Sequence, residues 1–379
     1  MKAKRIDRVL VTGGLGFIGR YTIDLLAERE YEVNILDKME PQAHHWNRRS
    51  SKMGRPSSTV IIGDVRKRED VERALDGVDA VIHLAASVGV GQSMYEVERY
   101  VDNNTRGTAT LLNAVIDRNP SIRKLVVASS MSVYGEGKYV CEVCGPAYPS
   151  DRTEDQLRDR QWEPNCPTCG RVLTAAATSE DRVLLPSSIY AQSKRHQEEM
   201  CLLIGRTYGI PTIALRYFSV YGPGQSLSNP YTGVCALFAS RILNKKPPYL
   251  FEDGAQLRDF VSVFDVAQAN LLALEKNEAG KAINVGSGTP SSIKDVARRL
   301  IGVLGARTRP YISGRYRKGD IRHCFADITL ARDLLDYKPR ITLEEGFKHF
   351  AAWAVKNIAI AQDRSKMALD ELREKSLAI

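Results

Sequence analysis

The chain has 379 residues, 43% of them hydrophobic and 26% charged. That is the composition of a soluble globular protein long enough for one large or two ordinary domains, and no apolar run approaches the roughly 20 residues of a membrane span. The net charge of +9 comes without a dense basic block: Arg66-Lys67-Arg68 and Arg315-Tyr316-Arg317-Lys318 are short and lie among acids. The excess reads as a solvated surface with a few cations for an anionic small ligand, not as a nucleic-acid or membrane surface.

The start, Met1-Lys2-Ala3-Lys4-Arg5, is basic, but a strand and a glycine turn follow directly, unlike a secretory leader; cytoplasm is the expected compartment. Val9-Leu10-Val11-Thr12 is that strand. Gly13, Gly16 and Gly19 follow in the order G-x-x-G-x-x-G, and residues 17–30 read as a helix opening with Phe17 and Ile18. Glycine lets the backbone turn tightly and approach a pyrophosphate, while the helix start offers N–H groups and a positive dipole end. The second strand, Val33-Asn34-Ile35-Leu36-Asp37, ends in a carboxylate close to the roughly 20-residue offset at which an acid binds the adenosine ribose hydroxyls. Such an acid repels a 2′-phosphate, which favours NAD over NADP. The alternative is that Asp37 only opens a polar loop.

Val60-Ile61-Ile62-Gly63-Asp64 is a third strand, residues 71–75 a short helix, and Ala80-Val81-Ile82-His83-Leu84-Ala85 a fourth strand. A long helix is expected within residues 95–117, and Leu125-Val126-Val127-Ala128-Ser129-Ser130 is a fifth strand. Short, almost wholly apolar strands alternating with helices predict an α/β fold: a doubly wound, mainly parallel sheet of Rossmann type. Residues 136–182 interrupt this 1–220 domain with a polar segment rich in Cys, Pro and Arg. A helix from about 188 to 208 and a strand at Thr212-Ile213-Ala214-Leu215-Arg216 resume it. Residues 221–340, punctuated by glycine and proline, are expected to form a smaller substrate lobe, with Ala282-Ile283-Asn284-Val285 returning as a strand to the first domain. Residues 341–379 read as a C-terminal helical tail, a surface helix or oligomer contact.

Within the interruption, Cys141-Glu142-Val143-Cys144 and Cys166-Pro167-Thr168-Cys169 form two C-x-x-C knuckles, each followed by a glycine, Gly145 and Gly170. Four thiolates suit a tetrahedral structural zinc ion, although the gap of 21 residues between Cys144 and Cys166 slightly exceeds the usual roughly 15–20. Two disulfides are the alternative, disfavoured in a reducing compartment. Four protein ligands leave no open position for a catalytic metal. Cys201, Cys235 and Cys324 read as ordinary buried thiols.

Tyr190-Ala191-Gln192-Ser193-Lys194 places a phenol and an ammonium four apart, on one face of a helix. A nearby ammonium stabilises phenolate and suits the tyrosine to proton transfer near neutrality. The pair follows a strand ending in Ser129-Ser130, and the carboxyl ends of such strands line the ligand crevice.

Together with Gly63-Asp64-Val65, His83-Leu84-Ala85-Ala86, Asn104-Thr105-Arg106-Gly107-Thr108, Ser129-Ser130-Met131-Ser132-Val133-Tyr134-Gly135, Leu215-Arg216-Tyr217-Phe218, Arg258-Asp259-Phe260-Val261 and Arg322-His323, these motifs resemble the extended short-chain dehydrogenase/reductase superfamily, in particular its nucleotide-sugar epimerases and dehydratases. The resemblance implies that Tyr190 is the acid/base and that Lys194 lowers its pKa and holds the nicotinamide ribose. It implies that Ser130, by register in preference to Ser129, hydrogen-bonds the reacting hydroxyl. It also implies cofactor contacts by Asp64 and Val65 at the adenine and by Leu84, Ala85, Ala86 and Asn104, diphosphate contacts by Arg258 and Arg322, and a homodimer. Where the family usually has Asn after Arg-Tyr-Phe, this chain has Ser219, which puts that substrate contact in doubt. Tyr231-Thr232-Gly233-Val234 is expected near the nucleotide.

The 4,6-dehydratases of that family usually carry Asp-Glu directly after the Ser/Thr, and the decarboxylases also carry an acid nearby; here Met131 and Ser132 stand in those places. That leaves oxidation and re-reduction on tightly bound NAD, a 4-epimerase acting on a UDP- or dTDP-hexose or 6-deoxyhexose. The four-cysteine insertion also resembles that of some bacterial dTDP-L-rhamnose 4-epimerase-like sequences. The alternatives are a net oxidoreductase or dehydratase of the same fold, or a non-catalytic NAD-sensing or nucleic-acid-binding protein.

Overall fold

The computed structural model describes residues 6–44, 58–118 and 121–378; the basic start, residues 1–5, lies outside them. The first half runs β1 (Arg8–Thr12), α1 (Phe17–Glu28), β2 (Glu32–Asp37), β3 (Ser58–Ile62), α2 (Arg68–Ala74), β4 (Ala80–His83), α3 (Val90–Ser93), α4 (Val97–Tyr100), α5 (Gly107–Asp117) and β5 (Lys124–Ser130). The insertion holds β6 (Lys138–Cys141), β7 (Gly145–Ala147), α6 (Glu154–Arg158) and β8 (Thr174–Ala176), after which come α7 (Ile189–Tyr208), β9 (Thr212–Tyr217) and β10 (Ser219–Tyr221). The remainder comprises α8 (Val234–Leu243), β11 (Tyr249–Leu250), β12 (Leu257–Ser262), α9 (Val263–Glu275), β13 (Lys281–Val285), β14 (Pro290–Ser292), α10 (Ile293–Val303), β15 (Tyr311–Ile312), β16 (His323–Cys324), α11 (Thr329–Leu335), α12 (Leu343–Lys356) and α13 (Ser365–Glu374).

Among the described residues, seven strands form the main sheet in the order β13-β9-β5-β4-β1-β2-β3, and every adjacent pair is parallel. Strands buried on both faces need apolar residues throughout, and Val9, Leu10 and Val11 are fully buried. One face packs on Ile23 and Leu26 of α1, Val266 and Ala269 of α9 and Leu335 of α11. The other packs on Val71 of α2, Leu111 and Leu112 of α5 and Cys201 of α7. The strand order reverses between β1 and β4, which opens the ligand crevice at the carboxyl ends of those strands. A separate core gathers Phe238 of α8, Leu300 of α10 and Phe347 and Phe350 of α12 into the second lobe.

The long helix expected within 95–117 runs without a gap from α4 through a π-helical stretch over Val101–Arg106 into α5. The buried Asn103 and Asn104 lie in the widened turn, from which Asn104 hydrogen-bonds inward to Ser87 and Ser193. The tail forms two helices, each with one face packed on the protein and the other exposed: α12 buries Phe347, Phe350 and Ala354 and α13 buries Ala368 and Leu372. No helix of the described residues is long and apolar enough to cross a membrane.

Candidate active site

A cleft of about 670 Å³ runs along the carboxyl ends of the strands, from Gly13, Asp37 and Asp64 at one end, past Ser130, Tyr190 and Lys194, to Arg258 and Arg317. At the first end, Gly13 takes φ +69°, and a Cβ there would lie 2.9 Å from the Ala85 backbone. A Cβ on Gly19 would lie 2.5 Å from the Gly13 carbonyl oxygen. Only glycine fits either place. Helix α1 starts at Gly16 with no side-chain cap and no acid in its first turn, so its orphan N–H groups and positive dipole end stay free for a phosphate.

Asp37 closes β2 with its carboxylate in the cleft. It accepts hydrogen bonds from the backbone N–H groups of Leu15 at 3.1 Å and Met39 at 2.8 Å, and His44 Nε2 lies 3.5 Å away. This bare glycine cradle, uncapped helix start and strand-end carboxylate fit a dinucleotide with free ribose hydroxyls. Phe17, Ile18, Val65, Leu84, Ala85 and Ala86 line the same stretch.

Tyr190 enters on α7, whose start is fixed by Ser188 accepting the Ala191 N–H at 3.1 Å. The backbone N–H of Tyr190 donates to Ser93 Oγ at 3.0 Å, and its ring meets Tyr100 edge-on at 6.4 Å. Burial pushes the Tyr190 phenol up, and a hydrogen bond with Ser130 pulls it down. Lys194 donates through Nζ to the Ala128 carbonyl at 2.8 Å, and burial lowers its pKa to about 7. In the ligand-free site burial is the larger influence on the phenol, and the Lys194 ammonium is turned toward the end of β5. Ser130 is also the acceptor for the Ser132 hydroxyl at 2.9 Å. Ser129 is spent elsewhere, donating to Glu198 at 2.6 Å.

At the far end, Arg258 lines the cleft and donates to the carbonyl oxygens of Leu257 at 2.8 Å, Arg322 at 3.0 Å and Ile321. Ser219 also lines the cleft, as do Tyr231, Thr232, Gly233 and Val234. Arg317 and Lys318 join them, with Arg317 over the Phe251 ring at 4.6 Å and paired with Asp320 at 2.7 Å. In the sequence these two cations were only part of a short surface cluster; a better signal was the glycine of Arg317-Lys318-Gly319-Asp320, which turns with φ +70°.

Two expected contacts do not reach the cleft. Asn104 is fully buried beneath it, where its amide takes the Ser87 N–H at 2.7 Å and donates to Ser193 Oγ at 2.9 Å. There it ties the Ser87 wall of the cleft to α7. Arg322 is 1% exposed and its guanidinium is consumed by Glu163 at 2.6 Å, Glu252 at 2.8 Å and Asp253 at 2.7 Å. A cation so paired has no donor left for a diphosphate.

Arg322 instead locks the insertion to the second lobe. Glu163 of the insertion also meets His323 at 2.7 Å, and Arg152 of the insertion pairs with the fully buried Glu252 at 2.9 Å. Burial pushes the Glu163 carboxyl up, but hydrogen bonds from His323 and Arg322 outweigh it and hold it down to about 2. In the insertion, β6 pairs with β7 and β8 and brings Cys141, Cys144, Cys166 and Cys169 together, their sulfurs all within 4.8 Å of one another. Gly145 and Gly170 turn with φ +78° and +75°. N–H groups of Cys144 and Val143 lower the Cys141 thiol, and those of Cys169 and Thr168 lower the Cys166 thiol. Converging thiols held by N–H donors suit tetrahedral zinc. None of the four lines the cleft.

Residues 9–153 and 168–286 match the NAD dependent epimerase/dehydratase family, with the break inside the insertion. The chain is 34% identical over 354 residues to dTDP-L-rhamnose 4-epimerase of Burkholderia thailandensis, covering 93% of this chain and 96% of that protein. Its fold is similar to UDP-glucose 4-epimerase of Thermotoga maritima solved with UDP-glucose, with TM-score 0.74 and 28% identity over 93% of this chain and 99% of that one. It is also similar to UDP-glucuronic acid 4-epimerase of Bacillus cereus in complex with UDP-glucuronic acid and NAD, with TM-score 0.75 and 28% identity over 92% of this chain and 99% of that one.

Proposed function

The chain belongs to the NAD dependent epimerase/dehydratase family, and on that premise we propose that it inverts the C4 hydroxyl of a UDP- or dTDP-sugar through a transient 4-keto sugar. The observation that carries this reading is the set of side chains at the end of β5. Ser130 and Tyr190 stand together, and the positions beside Ser130 hold Met131 and Ser132. The acids that line the cleft are elsewhere: Asp37, Glu40 and Asp64 at the glycine end, and Asp320 with the arginines. Eliminating water or carbon dioxide calls for further proton-transfer groups next to the sugar, whereas oxidation and re-reduction at one carbon needs a single acid/base.

Bound NAD supplies a hydride acceptor and donor. Ser130 would hold the C4 hydroxyl, and Tyr190 would take its proton as a phenolate, which the positive charges of bound NAD and of Lys194 would stabilise against the burial that raises the phenol. The same phenol returns the proton to the keto oxygen once the sugar has turned its other face. Arg258 and Arg317 hold the diphosphate, about which the sugar rotates; guanidinium groups suit phosphate oxygens. Lys194 keeps a cation next to the reacting groups. The four cysteines hold a zinc ion that serves structure, since all its positions are taken by protein.

The test is incubation of the purified protein with UDP- and dTDP-sugars without added cofactor. Formation of the C4 epimer at equilibrium supports the reading. A strict need for NADH or NADPH, consumed in step with product, favours a net reductase.

A further inference from the structure

The insertion keeps its cysteines out of the cleft, yet it grips the segment that carries the cleft's far cations. Between β15 and β16, residues 313–322 form no helix or strand; they hold a turn at Lys318-Gly319 and an isolated bridge from Arg317 to Ala378. Arg317, Lys318, Gly319, Asp320 and Ile321 of this segment line the cleft. Backbone so irregular is placed by whatever partners its polar groups find.

The insertion supplies several of those partners. Arg152 donates through Nη2 to the Asp320 carbonyl at 2.8 Å and to Glu252 at 2.9 Å, and through Nη1 to the Trp162 carbonyl at 3.0 Å. Its side chain is only 2% exposed. Glu136, just ahead of β6, accepts the N–H groups of Arg322 at 2.6 Å and His323 at 3.2 Å. Glu154 of α6 pairs with Lys318 at 3.1 Å, but both side chains are exposed, and such a pair contributes little. The buried guanidinium is the stronger tether, because its planar fork meets two acceptors on different elements at once.

Arg258 depends on the same segment. Its guanidinium is oriented by the carbonyl oxygens of Ile321 and Arg322, so a shift of the segment carries Arg258 with Arg317. Glu252, the other acceptor of Arg152, also holds the segment through its main chain: its N–H donates to the Arg315 carbonyl at 2.6 Å, and its carbonyl accepts the Gly314 N–H at 3.1 Å. Its neighbour Phe251 is the ring on which Arg317 lies.

We propose that Arg152, on the four-cysteine insertion, is a positioning residue for the cleft: by holding the Asp320 carbonyl and Glu252 together it sets Arg317 and Arg258 for a nucleoside diphosphate. This rests on the nucleotide-sugar reading above. Arg152 acts on the diphosphate end alone, since the glycine turn and Asp37, at the opposite end of the cleft, share no contact with it.

The test is calorimetric titration of UDP and of dTDP into the NAD-loaded protein, for wild type, Arg152→Met and Arg152→Met/Glu252→Gln. Arg152→Met should lose both stability and affinity, because Glu252 stays buried without that partner. The double variant removes the stranded charge, so its urea midpoint should return toward wild type. Its affinity for the nucleoside diphosphate should stay about 10- to 100-fold below wild type, with bound NAD unchanged. With a sugar that turns over, KM should rise by the same factor while kcat stays near wild type. Wild-type affinity in the double variant, loss of NAD in parallel with the nucleotide, or a loss confined to kcat overturns the proposal and leaves the nucleotide-sugar reading standing. No binding of UDP or dTDP by the wild type refutes that reading and this inference together.

Discussion

The ammonium of Lys194 donates to the carbonyl oxygen of Ala128 at 2.8 Å, tying the second turn of α7 to the end of β5. This holds the face of α7 that carries Tyr190 against the strand that carries Ser130. It also buries a cation, and burial lowers its pKa from 10.5 to about 7.

A group so depressed lowers stability where it must be charged in the folded state, below about pH 7, and the loss is relieved as pH rises toward 10.5. The stability of nucleotide-free wild type relative to Lys194→Met should therefore rise with pH across that window, by up to a few kcal/mol. Urea denaturation of both proteins at pH 6, 8 and 10 measures it; a pH-independent difference contradicts the burial of a charge.

Tyr190→Phe keeps the ring that packs against Tyr100 and removes the proton-transfer group. Turnover should fall by roughly 10²–10⁴-fold, with thermal stability and bound NAD close to wild type. A variant that retains more than a tenth of the rate would show that the proton moves by another route.

The four cysteines predict roughly one zinc ion per chain. Cys166→Ser should lower the metal content and raise amide exchange through β6, β7 and β8, while the main sheet stays protected. Full metal loss without change in exchange over residues 138–176 would leave the ion no structural role.

The Arg322 cluster should matter for stability rather than for ligand contact. Arg322→Met leaves Glu163, Glu252 and Asp253 without their shared cation and should cost about 3–5 kcal/mol. Glu163, held down to about 2, stabilises the fold above its ordinary pKa near 4.5, and that stability is lost as pH falls toward 2. The gap in stability between wild type and Glu163→Gln should accordingly shrink on acidification from pH 6 to pH 3.

The parts of the site that were legible in the sequence are those whose chemistry is carried by neighbours in the chain. The glycines at 13, 16 and 19, the carboxylate ending β2, and the phenol and ammonium on one face of α7 each follow from local spacing. What escaped depends on contacts far apart in sequence. Arg322 looked like a free cation because Glu163, Glu252 and Asp253 lie 69–159 residues away. Asn104 sits in a π turn that periodicity averages into a helix. The tail carried an amphipathic pattern that any surface helix shares, and only Tyr95 and Tyr231, 276 and 140 residues from Glu371, reveal where it docks.

The central claim is that a hydride leaves C4 of the sugar and returns to the same carbon from the opposite side without leaving the cleft. A nucleotide sugar deuterated at C4, incubated with the purified protein in ordinary water and followed by NMR, tests it most directly. Inverted product that retains deuterium at C4, with no cofactor added, is the predicted result. Loss of the label to water, or its appearance in released NADH, would contradict the account.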